Sequence, residues 1–346
     1  MIDLDSPEIR FALDSVRQAS LLVKQVQAEM VSPALTKDDR SPVTVADFAA
    51  QALVAYLLAQ AFPGDPLVAE EDAAELRPLL EETQAGRSTL LAQVTRFVLR
   101  PIPAADARLV CDWIDRGSAS SAPRFWTLDP IDGTKGFLRG DQYAVALALL
   151  VDGQVQIGVL GCPNLELKPQ TGLTNRGNLI PQIGGSGALV VAVRSQGTWA
   201  APLVDRGEFL RLRVTATSMP AQARLMRSFE AGHTNVDQID VFARALGLQA
   251  APVRMDSQAK YAVLACGGGE LLLRLLSPSK PDYREKIWDQ AAGSLVVQEA
   301  GGEITDLAGR PLDFSTGRTL ANNRGVLASN SYLHAAALRV LQEIAA

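Results

Sequence analysis

The chain of 346 residues is short of histidine, cysteine and basic charge, and each shortage excludes something. Two histidines, His233 and His334, are too few for a histidine-rich zinc centre. The three cysteines, Cys111, Cys162 and Cys266, are odd in number and widely scattered, which fits neither a disulfide framework nor metal-ligand spacing. A reducing cytoplasm is the compartment expected from that usage. Lys and Arg total 33 against 38 Asp and Glu, for a formal charge of −5, so a general nucleic-acid binder is not expected. The opening MIDLDSPEIR has no apolar core of a signal peptide, and no apolar run reads as long enough to span a membrane. Neither internal repeats nor low-complexity tracts break the pattern.

What is present is the composition of a soluble globular chain, 47% hydrophobic and 21% charged, long enough to bury a large core. Ser6-Pro7 reads as a helix cap followed by a first-turn proline. Ile9, Leu13, Val16, Ala19, Val23, Val26 and Met30 then recur at three- and four-residue steps, the stripe of an amphipathic helix. A second helix is predicted over about 45–62, closed by Pro63-Gly64. PLVAEED reads as a short buried strand, residues 75–123 as mostly helical, and QYAVALALLVDGQVQIGVLGCP as two strands around an Asp152-Gly153 hairpin turn. Residues 166–187 read as a polar loop, followed by strands near GALVVAV and LRLRVTA. In the last third, strands near ARLMRS, APVRMD, ELLLRLL, GEITD and GVLAS alternate with helices near 236–246 and from Gln258, Trp288 and Ser331. Such alternation predicts an α/β architecture, with an N-terminal domain at 1–216 and a C-terminal domain at 217–346.

The densest chemistry lies in TLDPIDGTKGF. Pro130 restricts its own φ and pushes Asp129 toward extended geometry, and Gly133 permits a tight turn. Asp129, Asp132 and the Ile131 carbonyl can then converge on one small volume, where a divalent cation would relieve the repulsion and hard oxygen ligands suit magnesium. Thr134 opens a helix-like stretch whose free N–H groups favour a phosphate. An Asp-Pro turn with a solvated aspartate is the plain alternative. Three further acids carry similar pairs of readings. Glu70 ends a strand or starts an acidic helix. Asp289 faces a site or caps the helix after it. Asp47 acts in catalysis or closes a capping box with Thr44.

Taken in order, VTVADFAAQ, VAEED, DPIDGTKGF and WDQAAG resemble the metal-binding signature of the inositol monophosphatase superfamily, across residues 43–293. The resemblance implies a layered αβαβα sandwich and a magnesium-dependent, lithium-sensitive phosphatase. It places two or three Mg2+ ions on Glu70, Asp129, the Ile131 carbonyl, Asp132 and Asp289. Paired metals would activate a water and clamp the attacking and leaving oxygens of an in-line displacement. Thr134 would hold that water and Asp47 would be its acidic partner, with Glu70 the second choice.

MDSQAKYAVLACGGGELLLRLLSPSKPDYREKIWDQAAG is similar to the bisphosphate nucleotidase branch of that superfamily. By that resemblance Ser257, Lys260, Arg274 and Lys286 would surround a nucleotide, His233 in EAGHTN would lie near its adenosine, and Gly133, Thr134 and Asp289 would also meet substrate. One phosphate would go to the metals and a remote one to its own cations. Lys260 as an exposed lysine and Arg274 as a partner of any carboxylate are the plain readings. Ser257-x-x-Lys260 also matches a serine β-lactamase pattern, whose companion motifs are absent. The expected function is hydrolysis of adenosine 3',5'-bisphosphate to AMP, with 3'-phosphoadenylyl sulfate as a second substrate, in sulfur metabolism. The expected protein is a cytoplasmic monomer bound to neither membrane nor nucleic acid. The rivals are an inositol polyphosphate 1-phosphatase and a catalytically silent nucleotide sensor.

Overall fold

Helix α1 (Pro7–Met30) buries the predicted stripe: Ile9, Leu13, Val16, Ala19, Val23 and Val26 all face inward. The structure is a computed structural model describing residues 2–31, 41–81, 89–169, 179–183, 185–204, 207–229, 236–276, 280 and 282–345. Ser6 precedes Pro7 as expected, but its side chain does not cap the helix. Its hydroxyl donates instead to Glu8 Oε2 at 3.0 Å.

Helix α2 (Ser41–Ala61) begins four residues before the predicted start. Pro42 lies in its first turn, where a missing N–H is harmless, so Ser41-Pro42 rather than Thr44 marks the beginning. Thr44 and Asp47 therefore sit inside the helix, and the capping-box reading of Asp47 fails. The expectation of no membrane-length apolar run also needs correcting, since α2 is long and apolar enough to qualify. Its setting explains the composition: 72% of that stretch is buried inside the fold, because a helix packed on nearly every side can be apolar all round. It packs against α1, α3 (Leu90–Val98) and α4 (Ala107–Asp115), the last two filling the region read as mostly helical.

Seven strands form one sheet: β1 (Leu67–Ala69), β2 (Arg124–Asp132), β3 (Ala144–Val151), β4 (Gln154–Cys162), β7 (Ala188–Val193), β8 (Gly197–Pro202) and β9 (Leu210–Arg211). Only β1 and β2 run parallel. Asp152 and Gly153, at φ 47° and 72°, make the predicted tight turn between β3 and β4. Strand β8 had no counterpart in the sequence reading, and LRLRVTA pairs over only two residues. The predicted polar loop at 166–187 is instead a separate antiparallel pair, β5 (Leu165–Pro169) with β6 (Leu179–Ile183). Leu165 and Leu167 pack into the core beside Cys162, which pins β5 despite its polar neighbours.

A second sheet holds β11 (Val253–Arg254), β10 (Leu225–Arg227), β12 (Leu271–Arg274), β14 (Val326–Ser329) and β13 (Glu303–Thr305), in that order. The period-two alternation of the strands sorts the core into layers. On β3, Val145, Leu147 and Leu149 face α1 and α2. Ala144, Ala146, Ala148 and Leu150 face the opposite way, toward α7 (Ala259–Ala265) and α8 (Ala291–Glu299). Those two helices lie between the sheets. The outer face of the second sheet, with Leu225, Leu271, Leu273 and Leu327, packs on α6 (Val236–Leu246) and α9 (His334–Ala345). The result is the αβαβα layering that was expected. Helices α8 and α9 start three residues later than predicted, and α7 one.

Candidate active site

Glu70 and Asp129 are neighbours because their strands are parallel. Ala69 stands opposite Leu128 in register, so both acids leave the ends of adjacent strands together. Asp129 and Asp132 are an odd number of residues apart and would point to opposite faces of a regular strand. The structure corrects this with a bulge. Asp129 pairs with Ala146 and Asp132 with Ala144, so three steps on β2 match two on β3 and both aspartates return to one side. Gly133 then turns the chain at φ 98° into α5 (Thr134–Arg139). Asp289 comes from the far end of the sequence. It does not cap α8, whose first turn follows Gln290.

These acids line a cavity of about 330 Å³, together with Ile131. Lys260, Arg274 and Lys286 line the same cavity, as do Gly133, Thr134 and Ser257. The structure thus brings every predicted site residue to one place except two. Asp47 lies in α2, buried and off the cavity surface, with Glu71 and Glu70 close enough to raise its pKa after burial has done so. His233 lies outside the described residues.

The acidic wall is electrostatically overloaded. Asp129 is 2% exposed, its Oδ1 has no hydrogen-bond partner, and burial followed by the charges of Glu70, Asp132 and Asp289 holds its carboxyl well above the usual range. Burial likewise raises Asp289, against the pull of Arg274, and Glu70, against a hydrogen bond from Asp129. Asp132 is raised by burial while Arg274, Lys260 and the Gln258 N–H lower it. Four such carboxyls cannot all ionise without a counter-charge. An orphaned buried carboxylate oxygen among hard oxygen donors fits a divalent cation of the magnesium type. As they stand, no three His, Cys, Asp or Glu side chains among the described residues are set closely enough to enclose an ion. Asp132 Oδ2 is engaged by the Gln258 N–H, and Asp289 Oδ2 stands 3.8 Å from Arg274.

The cations are held by specific partners. Arg274 pairs with Glu285 at 2.9 Å, and Glu285 accepts from Gln290 Nε2 at 2.8 Å. Lys260 Nζ lies 2.7 Å from Ser228 Oγ, and its pKa falls to about 8 because of burial and then the charge of Arg274. Lys286 Nζ lies 5.6 Å from the centre of the Trp288 ring. Ser257 has φ 68° and accepts the Ala259 N–H at 3.1 Å, so its hydroxyl also starts α7. A Cβ on Gly133 would come within 2.7 Å of Ser257 Cβ, so the two halves of the cavity touch there.

Sequence reasoning missed Ser228 and Tyr283 on the cavity wall, and Gln51 and Glu285 behind it. Gln51 had a visible signal, an amide in the middle of a helix otherwise apolar on nearly every side, whereas Gln60 sits exposed at its end.

Residues 5–346 match the model described as the inositol monophosphatase family. The chain is 42% identical over 330 residues to a 3'(2'),5'-bisphosphate nucleotidase of Emericella nidulans, covering 91% of this chain and 92% of that protein. It is 42% identical over 337 residues to one of Schizosaccharomyces pombe, with 93% and 91% covered. A 3',5'-bisphosphate nucleotidase 2 of Arabidopsis thaliana is 36% identical, with 97% and 96% covered. Among solved structures, an inositol monophosphatase from Zymomonas mobilis superposes with a TM-score of 0.63 at 19% identity, over 99% of this chain and 100% of that one. The Thermotoga maritima IMPase gives 0.61 at 18%, over 98% of each.

Proposed function

The chain belongs to the inositol monophosphatase family, and from that premise we propose a magnesium-dependent phosphoric monoester hydrolase that acts on 3'(2'),5'-bisphosphate nucleotides. The reaction is loss of the 3'-phosphate from adenosine 3',5'-bisphosphate, leaving AMP, with 3'-phosphoadenylyl sulfate a second substrate. The observation that carries this reading is one cavity lined both by a cluster of four acids and by the cations Lys260, Arg274 and Lys286. A monophosphate needs only the first. A substrate with two distant anionic groups uses both. The names of relatives that this chain matches over more than nine tenths of its length agree with that choice.

In this proposal Glu70, Asp129, Asp132, Asp289 and the Ile131 carbonyl hold two or three Mg2+ ions, with the acids rotating inward from their present partners. Bound Mg2+ supplies Lewis-acid charge to the phosphate being cleaved. Thr134 Oγ holds the attacking water, and Asp47, which lies off the cavity surface, is its acidic partner by way of Thr134 rather than by direct contact with the water. Gly133 opens the turn beside the scissile phosphate. Lys260, Arg274, Lys286 and Ser257 bind the second phosphate, and His233 meets the adenine. The same proposal includes a monomer acting in the cytoplasm.

The test is phosphate release from adenosine 3',5'-bisphosphate, 3'-phosphoadenylyl sulfate, AMP and inositol 1,4-bisphosphate, with Mg2+, with EDTA, and with added Li+. Release from the two nucleotides that EDTA abolishes and Li+ depresses is the expected result. Turnover of the inositol compound with the nucleotides ignored would overturn the substrate assignment. Nucleotide binding without any release would make the protein a sensor.

A further inference from the structure

Arg318 lies between β13 and β14, yet its side chain reaches the strand end that carries Glu70. Its guanidinium donates to the Gly117 carbonyl at 3.1 Å and to the carbonyl of Ala69, 249 residues away in the chain. Ala69 is the residue before Glu70, and its own N–H donates to the same Gly117 carbonyl at 2.8 Å. On the other side of Glu70, the buried Gln51 accepts the Glu71 N–H at 3.0 Å and donates to the Glu71 carbonyl at 2.6 Å. Both backbone neighbours of Glu70 are therefore fixed, one from α2 and one by Arg318.

The backbone around Arg318 holds the segment that leads to Asp289. Its carbonyl accepts the Ile287 N–H at 3.1 Å, Leu320 N–H donates to the Glu285 carbonyl at 2.9 Å, and Lys286 pairs with Thr319 between them. That short ladder leads directly into Trp288 and Asp289. The guanidinium also stacks 4.8 Å from the centre of the Trp288 ring. Arg318 itself is not on the cavity surface.

We infer that Arg318 is a positioning residue for divalent-cation binding, setting the separation between the Glu70 strand end and the Trp288–Asp289 segment. The inference rests on the reading of the acidic wall as a metal site. The planar fork suits the task because it addresses two carbonyls and an aromatic face at once, which a lysine cannot. Lys260 is held by Ser228 and Arg274 by Glu285, and Lys286 is joined to Thr319 through backbone that the Arg318 side chain does not supply, so the three cations of the second-phosphate subsite keep their supports.

The test measures binding of Mn2+ alone by calorimetry to the parent, Arg318→Met and Arg318→Lys proteins, beside metal-free melting and KM for the bisphosphate at saturating Mg2+. The Met variant is expected to bind Mn2+ about 10–100-fold more weakly, the usual range for residues supporting metal ligands. The Lys variant should fall between it and the parent, and KM should hold in both. Unchanged Mn2+ affinity in a folded Met variant overturns the inference, as does a rise in KM equal to the loss of metal affinity. Should the Met variant fail to fold, the Lys variant decides, and parental affinity there is the overturning result. A parent that takes up no Mn2+ sinks the metal reading and this inference together, whereas a normal parent with normal variants sinks the inference alone.

Discussion

One nitrogen of Arg274 stands 2.9 Å from Glu285 Oε2 and 3.8 Å from Asp289 Oδ2. The arginine therefore bridges an acid behind the cavity and an acid within it. Glu285 is anchored by Gln290, which in turn accepts from the Tyr261 hydroxyl, so the guanidinium has a fixed support that does not depend on Asp289.

Removing Arg274 has two separable effects. The Glu285 side chain is 6% exposed and would lose its counter-charge, which costs about 3–5 kcal/mol for a buried pair. Arg274→Met should therefore melt well below the parent, and adding Glu285→Gln should restore most of the loss. KM for adenosine 3',5'-bisphosphate should stay raised about tenfold or more in both, because a charge-assisted contact to the second phosphate is gone. Turnover of a monophosphate should change much less. Recovery of KM along with melting temperature would remove Arg274 from the substrate site.

The orphaned Oδ1 of Asp129 leads to a different signature. Asp129→Asn removes one charge from a wall where burial and four neighbouring acids already oppose ionisation, so the metal-free protein should melt no lower than the parent. Asp132→Asn keeps an acceptor for the Gln258 N–H and should also fold. Both should lose the stabilisation that Mg2+ gives the parent, and phosphate release should fall at least ~100-fold, as expected from losing several kcal/mol of charge stabilisation. Melting curves with and without Mg2+ check the first point, and an unfolded variant would make that aspartate structural.

Local turn chemistry left each acid open between a site and a structural role, and only the four motifs taken in order, through their resemblance to the family, singled the acids out. The alternation of apolar strands and helices made the α/β class legible, and the layered sandwich followed from the same resemblance. What stayed hidden depends on contacts between distant parts of the chain. Nothing near Arg318 signals that it will meet Ala69, and nothing near Glu285 signals Arg274. The β5–β6 pair was hidden because its strands are short and each carries a proline, Pro169 and Pro181, which argues against a strand. Of the two readings of Asp47 only the capping one fails, since a Thr-x-x-Asp pattern is a helix cap only if the helix has not already begun, and here it starts at Ser41.

His334 gives a pH dependence away from the cavity. The ring is buried, with Thr305 Oγ1 and Ser329 Oγ each 2.9 Å away, and burial lowers its pKa from 6.5 although Glu303 opposes the shift. Between its folded value and 6.5 the unfolded chain binds more protons than the folded one. Stability from this group is therefore complete above about pH 6.5 and is lost as pH falls through that window. Melting temperatures from pH 7.5 to 5.5 should drop less steeply in His334→Gln, whose neutral amide can keep a hydrogen bond. Equal slopes in the two proteins would show that the ring takes up its proton in the folded state.

Gly133 and Gly140 bracket α5 and make a matched pair of tests. Both have positive φ, 98° and 72°, so alanine is strained at either, at roughly 1–3 kcal/mol. At Gly140 a Cβ meets nothing within 4 Å, and the strain is the whole effect. At Gly133 the Cβ would lie 2.7 Å from Ser257 Cβ and 3.2 Å from the Gln142 carbonyl oxygen. The nearest contact is the one that must give most, and both of its sides belong to the cavity: the turn carrying Asp132 and Thr134, and the start of α7 carrying Ser257 and Lys260. Gly140→Ala should thus lose some melting temperature and keep kcat and KM near parental values. Gly133→Ala should lose more melting temperature, lower kcat through the first displacement and raise KM through the second. A Gly133→Ala enzyme with the kinetics of Gly140→Ala would mean that the close approach of Gly133 and Ser257 has no part in the chemistry.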